Sequence, residues 1–201
     1  DLQALANVLG IRRAAIIGTS LGGLLAMMLA ATAPERVAGI VLNDIGPDID
    51  PKGAERIKSY AGMLPPVRAW KEAVTQLRTV YGNAWPGLPD ATWAMLARRS
   101  YRAGANGTPV LDADQRIGHA LRAAPAVPNG LWPVFAMASA LPMLVIRGEL
   151  SDILSLETLG RMQREKPDLE QLTVANRGHV PLLNEPEALA AIEHFLARLR
   201  P

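Results

Sequence analysis

"IIGTSLGGLLAMM", residues 16–28, decides how the rest of the chain is read. Ile16 and Ile17 favour a strand, Gly18-Thr19-Ser20-Leu21-Gly22-Gly23 cannot continue one, and Leu24 onward is a run of good helix formers. A single hydroxyl, that of Ser20, is thereby held in a sharp strand-to-helix turn. Residues 14–33 carry no charge. The glycines and Ser20 interrupt that run, so it reads as a buried strand and a buried helix rather than a membrane span.

Working outward, Leu2, Leu5, Ala6 and Leu9 recur at helical spacing and Gly10 stops them. Residues 14–18 form an apolar strand, 21–33 a helix that Pro34 ends, and 37–42 a second apolar strand. Strand, helix, strand, with apolar residues on both strand faces, is the pattern of a parallel sheet covered by helices. From about residue 50 to 138 no apolar strand is seen. Helical segments there are separated by "MLPP", "GNAWPGLPD", "GANGTPV" and "APAVPNG", which points to a helical insertion. The first pattern returns with strands at 143–146 and 172–175, a helix at 155–165, and a closing helix at 186–199 with proline in its first turn.

A 201-residue chain with 49% hydrophobic residues has ample material for a core, which excludes disorder as a global description. Lys+Arg of 21 against Asp+Glu of 19 leaves +2, scattered singly or in pairs such as Arg12-Arg13 and Arg98-Arg99. Without a basic patch nothing points to nucleic acid. The absence of cysteine removes disulfides, thiolate metal sites and a cysteine nucleophile, and fits a reducing, cytoplasmic location.

Ser20 needs a base to take its proton and a group to orient that base. The turn supplies access, with Gly18 and Gly22 leaving room where a Cβ would collide. Holding a non-glycine residue in such a backbone costs roughly 1–3 kcal/mol, a strain concentrated at functional sites. The following helix aims its positive end at the same spot, and the Leu21 N–H would stabilise an oxyanion there. Gly18-Thr19-Ser20-Leu21-Gly22 matches G-x-S-x-G in its strand-turn-helix context. The competing phosphate loop lacks both G-x-G-x-x-G and a following lysine.

Such a turn calls for an acid and then a histidine, each after a later strand. "LVIRGELSDILS" places Asp152 and "VANRGHVPLLNEP" places His179 in such loops. Asp44 is the alternative acid, since it too follows an apolar strand close to the turn. Asp152 is preferred for its order between Ser20 and His179. Glu149 would brace its loop against Arg147. His194, beside Glu193, reads as a surface residue and His119 as part of a solvated helix face. No His, Asp and Glu grouping has metal-ligand spacing, and no cofactor is implied.

With "GIRRAAIIGTSLGG", "APERVAGIVLNDIGP", "LVIRGELSDILS" and "GHVPLLNEPEAL" in place, the sequence resembles the α/β-hydrolase family, particularly its capped esterase-like and C–C-bond-hydrolase-like members. The resemblance implies an α/β fold, a mostly parallel sheet of which about four strands are present, with a hydrolase core at 1–46 and 139–201 and an all-helical cap at 47–138. It implies Ser20 as nucleophile, Asp152 as acid and His179 as base. A serine at the turn, where the family's dehalogenases and epoxide hydrolases carry aspartate, argues against those reactions. About four further strands, and a His-Gly loop with a second oxyanion donor, would lie upstream of Asp1, so an amino-terminally truncated sequence with a bare sheet edge at Ala14 is expected.

The expected activity is cleavage of an ester or related acyl bond of a small, largely apolar molecule. Thr19, Met63, Trp70, Trp85, Trp93, Met95 and Val180 are candidate pocket residues, against which packing between cap helices competes for the tryptophans and methionines. Alternatives are hydrolysis of a carbon–carbon bond or an enol-lactone with the same triad, and a non-catalytic binding protein or inactive fragment.

Overall fold

The computed structural model describes residues 1–114, 116–123 and 130–199. In chain order the elements are α1 (Leu2–Val8), β1 (Ala14–Thr19), α2 (Leu21–Thr32), β2 (Val37–Asn43), α3 (Pro51–Tyr60), α4 (Trp70–Tyr81), α5 (Asp90–Ser100), β3 (Tyr101–Ala103), β4 (Pro109–Leu111), α6 (Arg116–Ala123), α7 (Trp132–Ala138), β5 (Met143–Gly148), α8 (Leu156–Glu165), β6 (Glu170–Val174) and α9 (Pro186–Arg198). They fall into two compact units, Asp1–Asp50 with Pro128–Pro201, and Pro51–Val127. Of the "APAVPNG" punctuation, all but Gly130 lies outside the described residues.

The first unit is built on a four-stranded sheet of order β1-β2-β5-β6, every neighbour parallel. The strands follow from sequence: Val37 to Leu42 and Met143 to Ile146 are apolar without alternation because both faces of β2 and β5 are buried. On one face Val41, Leu144, Ile146 and Val174 pack with Ala188, Ile192 and Phe195 of α9. On the other, α2 lies along β1 and β2 and against α7. Ser155 caps α8 by accepting the Thr158 N–H at 3.0 Å.

β1 stands at the sheet edge, as expected at Ala14, and the reading of residues 14–18 as a buried strand needs correction. β1 is an edge strand of this sheet whose residues alternate between partial burial and exposure, with Ile17 46% exposed. Neighbouring Leu21, Leu25 and Met28 of α2 are exposed as well. α1 forms and turns at Gly10, whose φ of +67° suits glycine, but it buries no residue.

The turn between β1 and α2 is tight for an identifiable reason. A Cβ on Gly18 would stand 2.5 Å from the Gly22 carbonyl oxygen and 2.6 Å from the Gly23 Cα. One on Gly23 would stand 2.4 Å from Ile45 Cγ2, whereas one on Gly22 would meet nothing within 4 Å. The glycines that the close approach requires are therefore Gly18 and Gly23, not Gly18 and Gly22. Between them Ser20 takes φ 50°, ψ −117°, a conformation that costs a non-glycine residue about 1–3 kcal/mol.

The second unit is mostly helical, but the expectation of an all-helical insertion needs correction: β3 and β4 form an antiparallel hairpin, Tyr101 opposite Leu111. Three-residue strands are too short to show a period in the sequence. Its core includes Tyr81 stacked on Trp85 at 5.0 Å between centroids, and Trp85 beside Trp93 at 5.6 Å.

Two stability measurements check this packing. Gly18→Ala should lower the unfolding free energy by about 1–3 kcal/mol through overpacking, while Gly22→Ala should leave it unchanged or raise it by up to about 1 kcal/mol, because alanine favours helix. Equal effects in urea denaturation would contradict the turn described. Phe195→Ala should cost about 3–5 kcal/mol, and a loss below about 1 kcal/mol would contradict the docking of α9.

Candidate active site

Because β1, β2, β5 and β6 run parallel, their carboxyl ends share one rim of the sheet, where ligand sites of open α/β sheets lie. Thr19 pairs with Asn43, so Ser20 and Asp44 are the first residues beyond two aligned strand ends. Both leave the sheet with positive φ, 50° and 56°. Their N–H groups continue the ladder, Ser20 donating to the Asn43 carbonyl at 3.1 Å and Asp44 to that of Ile146 at 2.7 Å. The two side chains are thus presented on the same rim by the same device.

His179, in the loop after β6, lies between them. Its Nε2 is 3.0 Å from Ser20 Oγ and its Nδ1 is 2.8 Å from Asp44 Oδ2. Ser20 is half-buried, His179 is 8% exposed and Asp44 has no exposed surface. Asp44 also accepts the Gly148 N–H at 2.9 Å on Oδ1 and the Ser151 hydroxyl at 2.6 Å on Oδ2. Ser151 Oγ itself accepts N–H groups of Ile153 and Leu154, so its proton is the one that goes to Asp44. With Asp44 as a carboxylate acceptor, Nδ1 carries the imidazole proton, and Nε2 is left as an acceptor facing the serine hydroxyl.

The structure brings together Ser20 and His179 as expected from the sequence, but the carboxylate on the imidazole is that of Asp44, not Asp152. Asp152 sits in the loop after β5, half-buried, four residues beyond the strand end. Chain order had favoured it, yet Asp44 also lies between Ser20 and His179, so order did not distinguish the two. The signal that made Asp44 the alternative acid, its place directly after an apolar strand, is the one the structure follows; Asn43, polar and buried beside it, was not singled out. Ser151 was not singled out either.

The histidine loop is held by polar groups. Glu149 Oε2 accepts the Asn176 N–H at 2.8 Å rather than pairing with Arg147 as expected, and Leu150 N–H donates to the Arg177 carbonyl at 2.8 Å. Arg147 instead donates to the carbonyls of Leu154, Glu149 and Ser151. Arg177 Nε meets Glu185 Oε1 at 2.8 Å, and the same oxygen accepts the Leu182 N–H.

Leu21 opens α2, so its N–H lies in the first turn, where helical N–H groups have no intrahelical acceptor. Thr19, exposed, and Val180, half-buried, adjoin Ser20 and His179 in sequence. Trp70, Trp85, Trp93, Met63 and Met95 belong to the second unit. Trp85 and Trp93 are buried in its aromatic cluster, the Arg98 guanidinium lies 3.7 Å over the Trp70 ring, Met95 is half-buried and Met63 exposed. His119 and His194 are exposed. Among the described residues no helix is long and apolar enough to cross a membrane.

Comparison with known proteins agrees with this architecture. A crystal structure of an alpha/beta hydrolase from Novosphingobium aromaticivorans superposes with a TM-score of 0.90 at 41% identity, over 98% of this chain and 70% of that one. The 3-hydroxybutyrate-oligomer hydrolase of Cupriavidus necator is 28% identical over 204 residues, 97% of this chain and 69% of the relative. The 2-(acetamidomethylene)succinate hydrolase of Mesorhizobium japonicum is 24% identical over 98% of this chain and 68% of the relative. The sequence profile described as the alpha/beta hydrolase family matches residues 1–192, and the chain belongs to that family.

Proposed function

We propose that this protein is a serine hydrolase that cleaves a carboxylic ester of a small, largely apolar molecule through Ser20, His179 and Asp44. The observation that carries the reading is the continuous hydrogen-bonded series from Ser20 Oγ through both imidazole nitrogens to Asp44 Oδ2, at 3.0 and 2.8 Å. In this scheme His179 Nε2 takes the Ser20 proton as Oγ attacks the acyl carbon, and the resulting oxyanion is stabilised at the Leu21 N–H. The imidazolium then gives its proton to the departing alcohol oxygen, leaving an acyl-Ser20 ester. A water, deprotonated by the same Nε2, hydrolyses that ester and restores the hydroxyl. Asp44 fixes the Nδ1–H tautomer and stabilises the charged ring.

The relative from Cupriavidus necator supports an ester substrate: it is named for 3-hydroxybutyrate oligomers, and oligomers of a hydroxy acid are chains of esters.

A fluorophosphonate probe applied to the full-length protein should label Ser20, located by peptide mass, and Ser20→Ala should abolish labelling. Modification at another residue ends the proposal. Asp44→Asn should lower kcat for a p-nitrophenyl ester by about 10⁴-fold, as expected when a triad carboxylate no longer sets the histidine tautomer. Asp152→Asn should leave kcat within about tenfold of the parent. The reverse ranking would return the acid to Asp152.

A further inference from the structure

β2 is apolar and almost wholly buried until its last residue, Asn43, which is itself 1% exposed. The Asn43 Nδ2 group donates to Thr19 Oγ1 at 3.1 Å and to the Pro181 carbonyl at 3.0 Å. Its Oδ1 is buried and has no hydrogen-bond partner among the described residues. Rotating the amide by half a turn would set that oxygen against the Pro181 carbonyl, acceptor against acceptor, so the observed orientation is the one this site allows. A buried acceptor without a partner costs stability, and the amide at the end of this apolar strand carries that cost in its Oδ1. The amide therefore calls for another explanation.

Its connections supply one. The two donated bonds join the residue before Ser20 to the segment two residues beyond His179, and the Asn43 carbonyl accepts the Ser20 N–H. We propose that Asn43 is a positioning residue that sets the approach of His179 Nε2 to Ser20 Oγ by tying the end of β1 to the chain that follows the histidine. It does not touch the reacting atoms and acts through Ser20 and His179. The inference rests on the serine-hydrolase reading above.

The test uses the full-length protein, with active sites counted by fluorophosphonate titration so that unfolded molecules do not enter the rate. Asn43→Leu removes both donated bonds together with the unpaired oxygen. Asn43→Asp keeps the shape but sets an acceptor against the Pro181 carbonyl. Both should lower kcat per titrated site and the labelling rate about 10- to 100-fold, the scale of a displacement of about 1 Å between reacting groups. KM for p-nitrophenyl acetate should stay within about twofold. Thr19→Val, at an exposed side chain where folding is not at stake, removes one tie and should give a smaller fall in the same quantity.

Values of kcat per titrated site and labelling rate within about twofold of the parent, in any of these variants that folds, would overturn the positioning role. A parent that is not labelled at Ser20 would instead remove the hydrolase reading itself.

Discussion

A carboxylate with no exposed surface is tolerable only when donors surround it, and the first unit is arranged so that Asp44 has them. They arrive from three places: the N–H of Gly148 at the end of β5, the hydroxyl of Ser151 in the next loop, and Nδ1 of His179 beyond β6. One side chain thus holds the ends of successive strands in fixed relation. It is available to all of them because β2 is an inner strand, with β1 on one side and β5 on the other. The same bonds that offset the burial of the charge also determine which imidazole nitrogen faces Ser20. Stability and chemical poise therefore have one source here.

The sheet register adds a second constraint. Thr19 and Asn43 are partners, so the departures at Ser20 and Asp44 occur at one level of the rim. Each departure needs positive φ in a residue that has a Cβ, which the chain resists by itself. The ladder bonds from the Ser20 and Asp44 N–H groups to the neighbouring strands hold both backbones in place. Gly18 and Gly23 clear the space into which the first departure turns.

Much of this was legible in the sequence, and the failures share a cause. Apolar runs without alternation identified β2 and β5, and the Gly-Thr-Ser-Leu-Gly context located the turn, because those signals are local. The choice between Asp44 and Asp152 was not local. Both follow inner apolar strands and both precede His179, and the difference lies in how far each stands from its strand end and in which strand neighbours β1, the strand that carries Ser20. The exposed alternation of β1 is invisible for a related reason: composition makes 14–18 uniformly apolar, and its place at the edge was expected only through the family resemblance. Trp85 and Trp93 illustrate the limit from the other side, since an aromatic residue bound for a core and one bound for a pocket have the same sequence signature, and these two are buried against each other.

The loop that carries His179 shows why a rim site needs polar bracing. Half-exposed segments bury too little apolar surface to be fixed by packing, so their position comes from directional bonds. Arg177 and Glu185 form such a bond at 2.8 Å between two largely buried side chains, where the cost of desolvating both charges offsets much of their attraction. The effect of the pair is geometric. The Arg177 and Gly178 carbonyls lie so close to the end of β5 that a Cβ on Gly148 would stand 2.5 Å from the first and 2.6 Å from the second. With that backbone pressed against β5 and tied through Glu149, Leu150 and Glu185, the next residue, His179, has little freedom to leave the line between Asp44 and Ser20. The precision of the site thus comes from close backbone approach enforced at Gly148, with side-chain bonds selecting one arrangement among those the approach permits.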